Sequence, residues 1–351
     1  MSYIPKPKVH SPALKKNALG LTRRDYEGAI TTLCAGCGHD SITAAVVHAF
    51  WELDIEPYKV AKLSGIGCSS KTPAYFLREA HGFNSVHGRM PAVATGAAAA
   101  NRELMMIGVS GDGDSLSIGL GQLCHAMRRN LNLLYLLENN GVYGLTKGQF
   151  SASADPGSSS KKGVTNTMPA IDGVLLALTL GATFVARSFS GDKQQLIPLI
   201  EAGLKHNGFA FIDVISPCVT FNDHEGSTKS YAYSRKHQIE VVHADFVMPR
   251  SEITAEIEPG QSQRVMLHDG SYVNLSKVAE DYDATDRDKS YAYIRSRQAN
   301  GEVPTGLLYV SEDSKDMSEQ LGSYPTSLTR IPYTDLCPGS EALEKLQERF
   351  R

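Results

Sequence analysis

The chain has 351 residues, room for one large α/β domain with an added segment. Its 35 basic and 38 acidic residues nearly cancel, which argues against a nucleic-acid-binding surface. No apolar run reaches the about 20 residues that span a bilayer, and the start of the chain lacks a secretory apolar core.

The expected setting is therefore cytoplasmic, where the six cysteines read as ligands, catalysts or buried hydrophobes rather than disulfides. Residues 1–28 read as an irregular arm whose Lys6, Lys8, Lys15, Lys16, Arg23 and Arg24 suit a solvated segment packing on a partner subunit. Helical spacing is expected over 41–53, with Ser41 as cap, followed by a short strand at 59–63. An alanine-rich helix at 92–103 precedes a strand at 104–109, and a helix at 115–129 precedes a strand at 131–137. The helix–strand pairs 171–180 with 183–187 and 193–205 with 209–215 complete the alternation. The strands are continuous apolar runs, as required when both faces of a sheet are covered, so the pattern predicts a doubly wound, mostly parallel α/β sheet.

Two stretches break the rhythm. Residues 144–170 are rich in Gly, Ser and Lys and predict a long loop, a feature that in compact domains is usually functional or disordered. Beyond about residue 235 the chain turns polar, with a hairpin expected at 265–275 around Asp269-Gly270, a helix at 287–298 and a closing helix at 341–350. The chain thus divides into an arm (1–28), a main α/β domain (29–235) and a C-terminal extension (236–351).

The first expected strand–helix turn with chemistry in it is Gly111-Asp112-Gly113-Asp114, and Asn140 stands 28 residues beyond Asp112 at the end of the next strand. Ligands of open α/β sheets bind at the carboxyl ends of strands. If the two strands are neighbours, Asp112 and Asn140 face one small volume. Mg²⁺, which takes oxygen ligands, suits that place: Asp112 would supply a carboxylate, Asn140 an amide oxygen, Val142 its carbonyl and a diphosphate the rest. Gly113 would let that diphosphate approach the backbone. The alternative, a plain tight turn, leaves the step to Asn140 without a role.

Cys34-Ala35-Gly36-Cys37, Cys68 in Gly65-Ile66-Gly67-Cys68-Ser69-Ser70, and Cys218 after Pro217 lie in glycine-rich turns or at strand ends. Four such thiols suit zinc or an iron–sulfur cluster, and on residue pattern alone zinc is slightly favoured. Cys124 and Cys337 read as bystanders.

Taken together, these motifs resemble the β subunits of 2-oxoacid:ferredoxin oxidoreductases over roughly residues 28–235. The resemblance rests on Cys34-Ala35-Gly36-Cys37-Gly38-His39, Ser64-Gly65-Ile66-Gly67-Cys68-Ser69-Ser70, His87-Gly88-Arg89, Gly111-Asp112-Gly113-Asp114, Val142-Tyr143-Gly144-Leu145-Thr146-Lys147-Gly148-Gln149 and Phe221-Asn222-Asp223-His224-Glu225-Gly226. It implies the thiamine-diphosphate-binding fold and replaces zinc by one [4Fe–4S] cluster on Cys34, Cys37, Cys68 and Cys218. It further implies thiamine diphosphate contacts from Ile66, Gly67, Cys68, Ser69 and His87, diphosphate binding by Gly113 and Asp114, and Mg²⁺ on Asp112, Asn140 and Val142. Gly144, Leu145, Thr146 and Lys147 would line the thiazolium and substrate side.

The resemblance also implies an α subunit carrying the cofactor-activating glutamate and most of the coenzyme A site, an (αβ)2 assembly and ferredoxin as electron acceptor. The chain has no tandem Cys-x2-Cys-x2-Cys-x3-Cys module, so one cluster is expected. The Leu145-Thr146-Lys147-Gly148-Gln149 run resembles 2-oxoglutarate-type members, and Lys147, together with Lys71, would pair with the distal carboxylate. His87, beside Gly88 and Arg89, suits an anion-facing turn, while His39 and His224 stay undecided between structure and chemistry. Competing readings are the same enzyme class acting on pyruvate or branched-chain 2-oxoacids, a non-redox thiamine-diphosphate enzyme, and a structural zinc module.

Overall fold

Strand and helix alternate much as the apolar pattern requires. The computed structural model describes residues 11–160, 163–242, 257–266, 272–278, 282–327 and 330–350. The strands are β1 (Val60–Ser64), β2 (His81–Asn84), β3 (Met105–Gly111), β4 (Leu133–Asn139), β5 (Val142–Tyr143), β6 (Gln149–Phe150), β7 (Phe184–Phe189), β8 (Phe209–Ile215), β9 (Gln238–Val242), β10 (Ser262–Met266), β11 (Tyr272–Lys277) and β12 (Val303–Val310). Among the described residues, ten of them form one sheet in the order β10-β11-β9-β12-β7-β8-β4-β3-β1-β2. All neighbours are parallel except β12 with β7 and β10 with β11. The sheet is doubly wound and mostly parallel, as the sequence predicts.

Side chains of a strand alternate between faces, and both faces here are buried. On β4, Leu134 and Leu136 join Ile107, Val109, Ile212 and Val214 under α1 (Gly38–Glu52), which contributes Ile42, Val46 and Phe50. Leu133, Tyr135 and Leu137 face the other way, toward Met90 of α2 (Met90–Ala100), Leu123 of α3 (Leu120–Arg128) and Val174 of α4 (Gly173–Thr179). Two more helices close the layers: α5 (Lys193–Lys205) packs beside α1, and Ile294 of a C-terminal helix, Arg287–Ala299, reaches the α4 side.

Three departures from the expected elements matter for the site. α1 starts at Gly38 rather than Ser41, with Cys37 in the capping position, so the cysteine pair opens directly onto the helix. The helix expected at 115–129 is split into a π-helical turn, Gly113–Ile118, and α3. The wide turn closes by a hydrogen bond from the Gly119 amide to the Asp114 carbonyl (2.8 Å), and Gly119 packs against Gly88 where a Cβ would not fit. Third, β5, just before the expected loop, pairs antiparallel with β6 inside it as a small hairpin.

The polar C-terminal part adds strands to the same sheet: β12 pairs antiparallel with β7, and β9 lies parallel to β12. The expected hairpin is present as β10 and β11, while its turn at Asp269-Gly270 lies outside the described residues, as do Lys6 and Lys8 of the arm. The closing helix is Ser340–Gln347, ending in a 3-10 turn. Among the described residues no helix is long and apolar enough to cross a membrane.

Candidate cofactor site

The strand order reverses between β1 and β3: one limb runs through β1 to β2, the other through β3, β4, β8 and β7. Such a reversal opens a crevice beyond the carboxyl ends of the strands. Three predicted segments end there: Gly65–Ser69 after β1, the Gly111 turn after β3, and Asn140–Val142 after β4. The condition set by the sequence holds, because β3 and β4 are direct neighbours with Gly111 opposite Glu138.

Asp112 is buried, and burial raises its carboxyl pKa. The hydroxyls of Ser151 and Ser153 both go to Oδ2, the second at 2.6 Å, and ease that cost. Among the described residues no counter-charge pairs with this buried carboxylate, which is held by two hydroxyls, so a cation fits the chemistry of this group. Asn140 is fixed too: its Oδ1 accepts from the Val142 amide at 3.0 Å, and its own carbonyl accepts from Asn222 Nδ2 at 2.8 Å. Gly113 leaves no space for a side chain, since a Cβ would run into the Tyr143 ring, whose hydroxyl donates to the Gly113 carbonyl at 3.0 Å.

Asp114 turns inward. Its Oδ1 accepts from the Gly88 amide (2.7 Å), the Ile66 amide (3.3 Å) and the His87 ring, and its Oδ2 accepts from Ser110 Oγ (2.6 Å). One carboxylate therefore ties the β1 loop, the His87-Gly88-Arg89 turn and β3 together. Gly65 is required beside it, because a Cβ there would overlap Asp114 Oδ2. With the carboxylate so engaged, Asp114 has only its backbone amide to offer a diphosphate. His87 is held by this contact and stands edge-on to Tyr143, with ring centroids 6.1 Å apart.

Two of the four thiols, Cys68 and Cys218, flank Gly144. A Cβ built on that glycine would lie 3.6 Å from the sulfurs of both Cys68 and Cys218. Cys34 Sγ accepts from Thr220 Oγ1 at 3.6 Å, joining the first cysteine to the segment that carries Cys218. Burial pushes the Cys37 thiol up to about 12 and raises Cys68 and Cys218. At Cys218 this is opposed by the backbone amides of Thr220, Phe221 and Asn222, donors that favour a thiolate. Among the described residues no three His, Cys, Asp or Glu side chains are grouped closely enough to hold one metal ion. Four sulfurs around one zinc must crowd to Zn–S distances of about 2.3 Å, whereas a four-iron cluster takes one thiolate on each iron and spreads them. The donor set, four thiols from three segments, is of the kind that an iron–sulfur cluster or a zinc ion takes.

Behind the thiols lies a buried polar group. His39 Nδ1 is 2.6 Å from Ser216 Oγ and 3.4 Å from Glu138 Oε2, and its Nε2 is 3.5 Å from Asn140 Nδ2. Burial lowers the His39 pKa to about 4. Glu138 is fully buried without a well-formed hydrogen bond, and burial, with Asp40 nearby, raises its pKa far above the usual range. The Thr72 hydroxyl eases this little, being committed to the Ser69 carbonyl at 2.7 Å.

The substrate-side predictions fall in two places. Leu145 and Ile66 are exposed, Thr146 Oγ1 donates to Gln149 at 2.6 Å, and Lys147 is exposed in a left-handed conformation with φ 81°. Lys71 instead reaches Thr32 Oγ1 at 3.3 Å on the Cys34 side, and Ser69 is buried with its Oγ against Gly111. His224 faces the Glu225 carbonyl at 2.9 Å in an exposed turn. Sequence reasoning missed Ser110, Asn139, Ser151, Ser153 and Ser216, and it named Asn222 only within the tract 221–226, without a role. The doublet Ser151-Ala152-Ser153 lies in the loop marked as functional, which was the pointer to those two serines.

Residues 65–214 match the family model described as thiamine pyrophosphate enzyme, C-terminal TPP binding domain. The chain is 34% identical over 89% of its length to the 2-oxoacid:ferredoxin oxidoreductase subunit beta of Saccharolobus solfataricus, covering 90% of that protein. It is 33% identical over 82% of its length to the 2-oxoglutarate oxidoreductase subunit KorB of Mycobacterium tuberculosis, covering 78% of it. A solved structure of 2-oxoglutarate:ferredoxin oxidoreductase from Magnetococcus marinus, with 2-oxoglutarate, coenzyme A and succinyl-CoA bound, is similar with a TM-score of 0.70. That match has 30% identity and covers 92% of this chain and all of the matched one.

Proposed function

The chain belongs to the β subunits of the 2-oxoacid:ferredoxin oxidoreductases, and from that premise we propose that it binds thiamine diphosphate, Mg²⁺ and one [4Fe–4S] cluster in an enzyme acting on 2-oxoglutarate. The reaction is the coenzyme A-dependent oxidative decarboxylation of 2-oxoglutarate to succinyl-CoA and CO₂ with reduction of ferredoxin, and it can run in reverse. Thiamine diphosphate, when bound, supplies the electron sink that decarboxylation needs.

The chain's own residues position and insulate that chemistry. Asp112, Asn140 and the Val142 carbonyl would hold Mg²⁺, with Ser151 and Ser153 fixing the Asp112 carboxylate. Gly113 and the Asp114 amide would receive the diphosphate, and Ile66, Gly67, Cys68, Ser69 and His87 would flank the cofactor. Cys34, Cys37, Cys68 and Cys218 would carry the cluster. Gly144, Leu145, Thr146 and Lys147 would face the thiazolium and the substrate, with the Lys147 ammonium offered to the distal carboxylate. Lys71, bonded to Thr32, is better placed to act on the cluster turn than on that carboxylate.

One observation carries the reading. A Cβ on Gly144 would lie 3.6 Å from the sulfurs of both Cys68 and Cys218, while its neighbour Tyr143 packs on Gly113 of the candidate metal turn, so one short loop runs between the proposed electron acceptor and the cofactor site. The partners proposed are an α subunit in an (αβ)2 assembly and ferredoxin, and the proposed location is the cytoplasm. The division at residues 28 and 235 is likewise a proposal, with the extension joined to the main sheet through β12.

The test is to co-purify the chain with its α subunit without oxygen. Coenzyme A-dependent ferredoxin reduction is then followed with 2-oxoglutarate, pyruvate and 2-oxoisovalerate. The fastest turnover is expected with 2-oxoglutarate. A preference for another acid would keep the class and overturn the substrate. No reduction with any acid, despite bound cofactors, would favour a non-redox thiamine-diphosphate enzyme.

A further inference from the structure

The geometry points to His39 as a positioning residue that transmits the cluster loop's position to the candidate metal ligand Asn140, an inference that rests on the cofactor reading above. His39 lies two residues after Cys37 and is buried at the mouth of α1. The Asn140 amide can be oriented without ambiguity: its Oδ1 accepts from the Val142 N–H at 3.0 Å, so its NH₂ group is the one that faces His39 Nε2 at 3.5 Å. An NH₂ group only donates, so Nε2 must accept, and the ring proton then sits on Nδ1. There Ser216 Oγ at 2.6 Å receives it, with Glu138 Oε2 3.4 Å away. The tautomer, the ring orientation and the rotamer of Asn140 are thus set by one connected group of buried side chains.

A second contact acts on the same residue from the other cysteine segment. The Asn222 backbone N–H donates to the Cys218 carbonyl (2.9 Å), and its Nδ2 donates to the Asn140 carbonyl at 2.8 Å. Asn140 is therefore gripped on its side chain from the Cys37 loop and on its backbone from the Cys218 loop. The His39 ring lies behind the thiols, so the role inferred is placement of the Asn140 oxygen rather than contact with substrate.

The experiment uses the full chain in complex with its α subunit and measures Mg²⁺-dependent thiamine diphosphate affinity and bound iron for wild type, His39→Asn and His39→Gln. Asparagine can reproduce the Nδ1 contact to Ser216 but not reach Asn140, whereas the glutamine oxygen can take the place of Nε2 as acceptor. His39→Asn is expected to raise the dissociation constant about tenfold with iron retained, and His39→Gln to stay within about threefold of wild type. Equal losses in both variants, no loss in either, or a loss in His39→Asn that merely follows loss of iron would overturn the positioning role. Absence of Mg²⁺-dependent binding in the wild type would instead overturn the cofactor reading itself.

Discussion

Ser153 Oγ hydrogen-bonds Asp112 Oδ2 at 2.6 Å and stands 2.9 Å from Asn139 Oδ1. The contact joins the β6–α4 connection to the turn after β3 across 41 residues of sequence. Beyond Asn139 it continues to Asp213 at 3.1 Å and, through Asp213, to the buried Arg187 at 3.2 Å. The carboxylate is thereby held in one orientation by a chain of buried groups. A hydrogen bond to a charged group is worth about 1.5–3 kcal/mol. Ser153→Ala should therefore weaken Mg²⁺-dependent thiamine diphosphate binding about tenfold or more, whereas Ser159→Ala, at an exposed position of the same connection, should not. Titration calorimetry on the αβ complex decides it, and equal affinities would remove Ser153 from the site.

The cysteines give a compositional prediction. Purified anaerobically, the complex should be brown, with iron and acid-labile sulfide. Serine at Cys34, Cys37, Cys68 or Cys218 should lower both, while Cys124→Ser and Cys337→Ser should leave them unchanged. Colourless protein with one zinc per chain would reject the cluster.

Lys147 should act on substrate choice. Its side chain is exposed, and its backbone is held left-handed beside Gly148. Lys147→Ala is expected to raise KM for 2-oxoglutarate about tenfold, the scale of one charge-assisted contact, with a much smaller change for pyruvate. Steady-state kinetics with both acids would show it, and equal shifts would count against a distal-carboxylate contact.

A fourth prediction concerns the C-terminal strands. Burial, with Asp192 nearby, raises the Glu240 pKa to about 7, and Gln195 only partly offsets this. The folded state holds this proton more tightly than the unfolded chain, so Glu240 favours folding most at low pH. That favour is lost as pH rises from the ordinary carboxylate range through about 7. Glu240→Gln should remove the trend. Its melting temperature relative to wild type should climb across that window, by the equivalent of up to about 3 kcal/mol. A constant difference across pH would exclude the linkage.

Much of the architecture was legible in the sequence for a physical reason. Strands buried on both faces must be continuous apolar runs, so β3, β4, β7 and β8 announced a covered parallel sheet. β2 did not, because all four of its residues are exposed and carry no apolar pattern. β9 and β12 were hidden too, since a strand joining an existing edge takes its identity from its partner's backbone. At the site, the step from Asp112 to Asn140 was visible because strand ends and turn glycines leave local marks. Only the tertiary structure could turn the Asp114 carboxylate inward under Gly65, bring Ser151 and Ser153 to Asp112, and set His39 between Ser216 and Asn140. Those contacts join side chains distant in sequence, and a single hydroxyl, amide or imidazole imposes no periodicity by which its partner can be foreseen.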